Sequence, residues 1–336
     1  MYNTLEASLS EAKSIVIIQP ENPDGDSLGT ALALNELLQE QSKTVSLFCT
    51  VDMPKYLRYI QGWDYVEKDW TGKYDLAIIV DTASDALLEK SLQTPGVRHF
   101  LDSHPVLVLD HHGDGNADDE PSALSFSHEL VESHAAAATG ELVADIGKEL
   151  GWTITPLCAE LLFTSIMSDT LGLTTPSVTP HTFATAAEMV AYGAVPADLE
   201  TRRREFMKKP ADILNYKGEL IKRIDYHCDG QLATVHIPWE DIQKYSDRYN
   251  PSVLVLDEMR LVEGVEIAVA LKTYPDGKIT GKIRANKPIA LDIAGYFGGG
   301  GHPYAAGFKM YETYDNAIAE LVVAMTKIME ALDETI

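Results

Sequence analysis

Asp24-Gly25-Asp26, Asp81, Asp110-His111-His112 and Asp169 each follow an apolar run, at its end or shortly after it. The clearest case is Val106 to Leu109, which is apolar with β-branched members, follows His104-Pro105 and stops in an acid and two histidines. Gly113-Asp114-Gly115-Asn116 then has the composition of a loop. Carboxylates and imidazoles at the carboxyl ends of strands stand where open α/β sheets bind ligands. Asp24 and Asp26 are spaced i, i+2 on a turn, so each can face a different metal ion, although such a triplet alone is ordinary turn chemistry. Acids gathered at one sheet edge repel one another unless cations lie among them. Oxygen and imidazole donors without thiolate suit Mn²⁺ or Mg²⁺ better than structural zinc. With one carboxylate bridging, such a cluster is a two-metal site, in which metal-activated water attacks phosphorus.

The elements that must position these groups are legible as patterns. Ser14 to Ile18, Thr44 to Phe48, Asp75 to Asp81, Arg98 to Leu101 and Val106 to Leu109 read as strands. Ser27 to Gln41 carries Leu28, Ala31, Leu32, Leu34, Leu37 and Leu38 at helical spacing, with Asp26 or Ser27 as the N-cap. Ala135 to Leu150, Pro156 to Met167 and Pro180 to Tyr192 read as further helices. Strands alternating with helices predict an α/β fold, a parallel sheet with helices on both faces.

After Asp212 the pattern changes to a smaller α+β unit, with strands at Leu232–Ile237, Glu266–Leu271 and Ile279–Arg284 and a closing helix from Tyr314 to Leu332. The expected domains are residues 1–195, a connector at 196–215, and 216–336. Arg202-Arg203-Arg204 falls in the connector and reads first as a solvated helix face. Gly298-Gly299-Gly300-Gly301-His302 is costly in backbone entropy and suits backbone amides that cradle a phosphate.

Composition narrows the partners. The chain has 336 residues, 45% hydrophobic and 23% charged, with a net charge of −24. That acidity argues against wrapping long nucleic acid and leaves small phosphorylated substrates open, because metal ions supply positive charge locally. No run approaches the length of a membrane helix, and the first residues lack a basic-then-apolar leader, so no membrane partner is expected. Cys49, Cys158 and Cys228 are odd in number and without CxxC spacing, which fits a reducing cytoplasm. His99, His128, His134, His181, His227 and His236 are isolated and read as ordinary polar residues.

Asn22-Pro23-Asp24-Gly25-Asp26, Val80-Asp81, Asp110-His111-His112, Ser168-Asp169-Thr170 and the Gly298–Gly307 segment occur in the order of the DHH phosphoesterases with a DHH-associated C-terminal domain, which the chain resembles over nearly its whole length. The branch it is most similar to is the nanoRNase and 3′-phosphoadenosine 5′-phosphate phosphatase type. The resemblance implies an active-site cleft between the domains and two metal sites. Asp24 would bind the first metal, Asp81 would bridge, and Asp26, His111 and Asp169 would complete the second. Asp110 would orient the site, and His112 would contact the scissile phosphate as a general acid. Arg284 and His302, with the backbone of Gly299, Gly300 and Gly301, would hold the far end of the substrate.

The implied activity is a Mn²⁺- or Mg²⁺-dependent phosphodiesterase or exonuclease acting on very short oligonucleotides or nucleoside 3′,5′-bisphosphates, with a homodimer left open. There are two departures from the family pattern. Pro20 stands where members carry a histidine ligand, which weakens the first metal site and leaves Gln19 or Asn22 as its neutral neighbours. Leu173-Thr174-Thr175 replaces a common Phe-Arg. The alternatives are a nucleotide- or RNA-end-binding protein that has lost catalysis, and a class II inorganic pyrophosphatase, which the C-terminal glycine segment opposes.

Overall fold

The computed structural model describes residues 2–112, 124–133, 135–246 and 249–333; Gly113–Asn116 and His134 lie outside the described residues. The chain divides into two compact units, Met1–Lys208 and Lys209–Ile336.

In the first unit the order is α1 (Asn3–Glu11), β1 (Ser14–Ile18), α2 (Gly25–Glu40), β2 (Thr44–Phe48), β3 (Val66–Glu67), β4 (Leu76–Val80), α3 (Glu89–Gln93) and α4 (Val97–Ser103). There follow β5 (Val106–Asp110), β6 (Glu129–Glu132), α5 (Thr139–Glu149), α6 (Pro156–Asp169), α7 (Pro180–Tyr192) and α8 (Pro196–Phe206). The strands form one sheet in the order β3-β2-β1-β4-β5-β6, parallel throughout. Both faces of it are apolar, as a sheet covered on two sides requires. Ile15, Ile17, Ile78, Val80, Leu107 and Leu109 pack with α2, α5 and α6, while Val16, Ile18, Ile79 and Val108 pack with Val97, Phe100 and Leu101 of α4.

The expected strand at Arg98–Leu101 is instead helix α4. A short apolar run carries too little periodicity to separate helix from strand. Here Val97, Phe100 and Leu101 are buried at helical spacing, and Arg98 pairs with Asp102 at i, i+4. The basic cluster lies on α8, where Arg202 pairs with Glu160 and both Arg203 and Arg204 pair with Glu200.

α2 and α6 bring the site residues together. A Cβ at Gly29 would stand 2.8 Å from the Leu161 carbonyl oxygen of α6, so only glycine permits this approach. The Asp24 side chain caps α2, accepting from the backbone N–H groups of Asp26 and Ser27 at 2.9 and 3.0 Å. Thr155 caps α6, with Pro156 in its first turn.

The second unit comprises α9 (Ala211–Ile221), β7 (Ile224–His227), β8 (Leu232–Ile237), α10 (Trp239–Tyr245), α11 (Leu256–Arg260), β9 (Ile267–Thr273), β10 (Lys278–Ala285), α12 (Ala290–Tyr296), β11 (Gly300–His302), β12 (Ala305–Tyr311) and α13 (Tyr314–Asp333). Its mixed sheet runs β11-β12-β10-β9-β8-β7. The glycine segment enters the β11–β12 hairpin, and part of it has a packing reason. A Cβ at Gly299 would lie 2.3 Å from the Gly307 carbonyl, and one at Gly301 2.5 Å from Ala306 Cα. Gly300 alone of the three faces open space. The register aligns Arg284 with Ala305 and Ala305 with His302, one row across three strands.

Candidate metal centre

The parity of β5 separates its terminal residues. Leu107 and Leu109 face α2, so His111 continues toward α2, α5 and α6, whereas Asp110 and His112 share the other parity. His111 Nε2 is buried without a hydrogen-bond partner, 3.3 Å from Asp169 Oδ2, 3.6 Å from Asp26 Oδ2 and 3.7 Å from Asp81 Oδ1. His112 Nδ1 lies 2.7 Å from Asp110 Oδ1. The carboxylate accepts a hydrogen bond there, so the network assigns the ring proton to Nδ1.

Asp81 reaches this group through an unusual backbone. Alternation along β4 would turn it to the α4 face, but its φ of +61° is left-handed and redirects it. Thr139 Oγ1 then donates to Asp81 Oδ1 at 3.0 Å. A non-glycine residue in this region costs on the order of 1–2 kcal/mol, a strain typical of functional positions.

Asp26 is fully buried and surrounded by donors. Thr30 Oγ1, the Gly140 N–H and Ser165 Oγ approach its Oδ1 at 3.0, 3.2 and 2.5 Å, and the Thr139 N–H its Oδ2 at 2.8 Å. Sequence reasoning missed Thr30, Thr139 and Ser165. The available signal was Ser165, a hydroxyl inside the apolar run Leu161 to Ile166.

The charges oppose one another. Burial, then Asp26 and Asp24, push the Asp81 carboxyl well above the ordinary carboxylate range. Burial and then Asp26 push Asp169 up to about 6. Asp24 is raised chiefly by burial, and His112 is raised chiefly by its hydrogen bond to Asp110. An orphaned buried imidazole nitrogen beside Asp81 and Asp169, whose carboxyls are both raised, and beside the buried Asp26 is a donor set fitted to a divalent cation. Asp26, His111 and Asp169 form one group able to hold a metal, and Asp81, His111 and His112 another.

After β1, Pro20 is buried and offers only its carbonyl, which accepts from the Cys49 thiol at 3.4 Å. Beside it Gln19 is fully buried, and neither atom of its side-chain amide has a hydrogen-bond partner. In the second unit, Arg284 donates to the Ile283 carbonyl at 3.0 Å. Among the described residues no helix is long and apolar enough to cross a membrane.

A parallel α/β unit with aspartates and histidines at its strand ends, followed by a mixed-sheet unit, defines a class. Residues 14–166 match the DHH family N-terminal domain and residues 245–331 the DHHA1 domain. The chain belongs to the DHH family.

Among its relatives is a bifunctional oligoribonuclease and PAP phosphatase NrnA from Thermus thermophilus, 30% identical over 95% of this chain and 89% of the relative. The protein of that name from Bacillus subtilis is 22% identical over 96% and 97%. An exopolyphosphatase-related protein from Bacteroides fragilis shares the fold, with a TM-score of 0.83 at 20% identity over 98% of this chain and 97% of that one.

Proposed function

We propose that the chain is a metal-dependent phosphodiesterase that hydrolyses very short oligonucleotides or nucleoside 3′,5′-bisphosphates. The observation that carries this reading is His111 Nε2, unpartnered and within 3.3–3.7 Å of the Asp169, Asp26 and Asp81 carboxylates. The names of the relatives from Thermus thermophilus and Bacillus subtilis support the choice of substrate.

In this reading Asp26, His111 and Asp169 would hold one divalent ion, Asp24 would hold another, and Asp81 would serve both. Divalent ions at these residues, Mn²⁺ by preference, would supply Lewis-acid polarisation of the phosphoryl group and a water of lowered pKa. Asp110 fixes His112 with its proton on Nδ1, leaving the opposite ring nitrogen free for the substrate. Asp110 also favours the protonated ring, so His112 can donate a proton to the leaving oxygen as the P–O bond breaks. Arg284, His302 and the Gly299–Gly301 backbone bind the remaining phosphate or base.

The test is a panel of two- to five-nucleotide RNAs and 3′-phosphoadenosine 5′-phosphate, assayed with Mn²⁺, with Mg²⁺ and with chelator. Metal-dependent release of mononucleotides or phosphate is expected. Binding without turnover of any of them would replace this reading with a nucleotide-binding role.

A further inference from the structure

The first unit holds a cavity of about 620 Å³ that begins at Asp24-Gly25 and runs between α6 and α8. Its size falls in the range of small-ligand sites. The metal chemistry accounts for Asp24 at one end and for nothing else in it. Tyr56, Tyr59, Phe163 and Met167 supply broad aromatic and thioether walls. The Tyr56 ring is half exposed, yet its hydroxyl donates to the Pro23 carbonyl at 3.2 Å, so it is pinned beside the Asp24 turn. An exposed ring held in place next to a phosphate-handling centre is a stacking surface.

The rim adds an independent observation. Leu171, Gly172 and Leu173 are all left-handed, with φ of +49°, +75° and +66°. Leu173 recovers that cost by packing against the core of the unit. Leu171 does not: it lines the cavity while 74% exposed. A strained backbone that presents an apolar side chain to solvent at a cavity rim is arranged for a ligand. Phosphate does not suit these walls, because the one guanidinium among them, Arg203, is occupied by Glu200. A planar, weakly polar ring does suit them.

We infer that this cavity receives a nucleobase of the substrate, the one attached on the Asp24 side of the scissile phosphate, stacked on Tyr56 and covered by Leu171. The inference rests on the oligonucleotide reading above and gives it a base-binding subsite within the first unit.

The experiment compares Tyr56→Ala and Leu171→Ala with the unsubstituted chain on the dinucleotide pApA and on its two singly abasic analogues. Loss of a stacking partner should raise KM for pApA by about tenfold. With one of the two analogues, the one lacking the stacked base, that penalty should vanish. Equal penalties on pApA and both analogues, or none on pApA, would overturn the inference.

Absence of pApA turnover by the unsubstituted chain would refute the oligonucleotide reading instead, and calorimetric titration with AMP then tests the cavity. AMP binding weakened about tenfold by Tyr56→Ala supports the base site. AMP binding that is absent, or indifferent to both variants, overturns it.

Discussion

Asp24 and Asp26 lie two positions apart on one turn, and the fold treats them in opposite ways. Asp26 is fully buried, and three separate helices supply the donors around it: Thr30 from α2, Thr139 and Gly140 from α5, and Ser165 from α6. Asp24 spends one oxygen on capping α2 and opens onto the cavity. One aspartate is fixed by the core of the unit and the other only by its own turn. The half of the proposed centre built on Asp26 is therefore set by the fold alone. The half built on Asp24, with Pro20 and the unpartnered Gln19 nearby in sequence, depends on what binds.

The most severe way to break this contrast is Asp26→Ala. Removing the carboxylate strands buried hydroxyl and amide donors, each costing about 1–3 kcal/mol. Urea unfolding of the metal-free chain should show a loss of about 3 kcal/mol or more, together with loss of activity. Asp24→Ala, which removes only a cap, should cost about 1 kcal/mol. Equal losses would mean that the two positions are not held differently.

Asp169→Asn sharpens the comparison by separating function from stability. Activity should fall by about a hundredfold or more, the scale of a disrupted metal environment. The metal-free protein should become more stable. Asp169 sits at about 6 in the folded chain, above its ordinary value near 3.8, chiefly because it is buried and then because of Asp26. A folded-state pKa above the unfolded one means that its stabilising contribution is complete below about pH 4 and lost as pH rises through about 6. The unsubstituted, metal-free chain should thus lose about 1 kcal/mol across that window relative to Asp169→Asn, allowing for the solvent that reaches the carboxylate. Saturating divalent metal should flatten the difference, because the ion favours the ionised carboxylate. Parallel pH profiles without metal would show that Asp169 does not feel its neighbours.

The contrast also explains what could be read from the residues alone. Strands β1, β4 and β5 were legible because burial on both faces demands continuous apolar, β-branched runs, and the acids at the ends of β4 and β5 stand out where those runs stop. α4 was not, because its short buried stripe fits either periodicity. The acids at Asp26 and Asp169 and the imidazole of His111 were visible, but the parts played by Thr139 and Ser165 were not. The Thr139 N–H and the Ser165 hydroxyl meet Asp26 from more than a hundred positions away, through the close approach of α2, α5 and α6. Nothing local announces the left-handed Asp81, since its φ is imposed by the surrounding fold. The glycines at 299 and 301 had a backbone reason that depends on β12, which only pairing reveals.

The mildest change tests the open half directly. Pro20→His restores a side-chain donor on the loop that leads to Asp24, and calorimetric titration with Mn²⁺ should show the weaker of two binding events tightened by about tenfold, or ~1.4 kcal/mol. The event assigned to Asp26, His111 and Asp169 should stay where it was. Gln19→Leu is the companion. Alternation along β1 puts Gln19 on the face of Ile15 and Ile17, beneath α2, and a buried amide without partners costs about 1–3 kcal/mol. Replacing it should raise metal-free stability. If its oxygen serves the first ion in place of the absent imidazole, the same replacement should weaken that ion's binding. An unchanged titration in both variants would mean that Asp24 and Asp81 suffice for the first ion and that Pro20 costs the centre nothing.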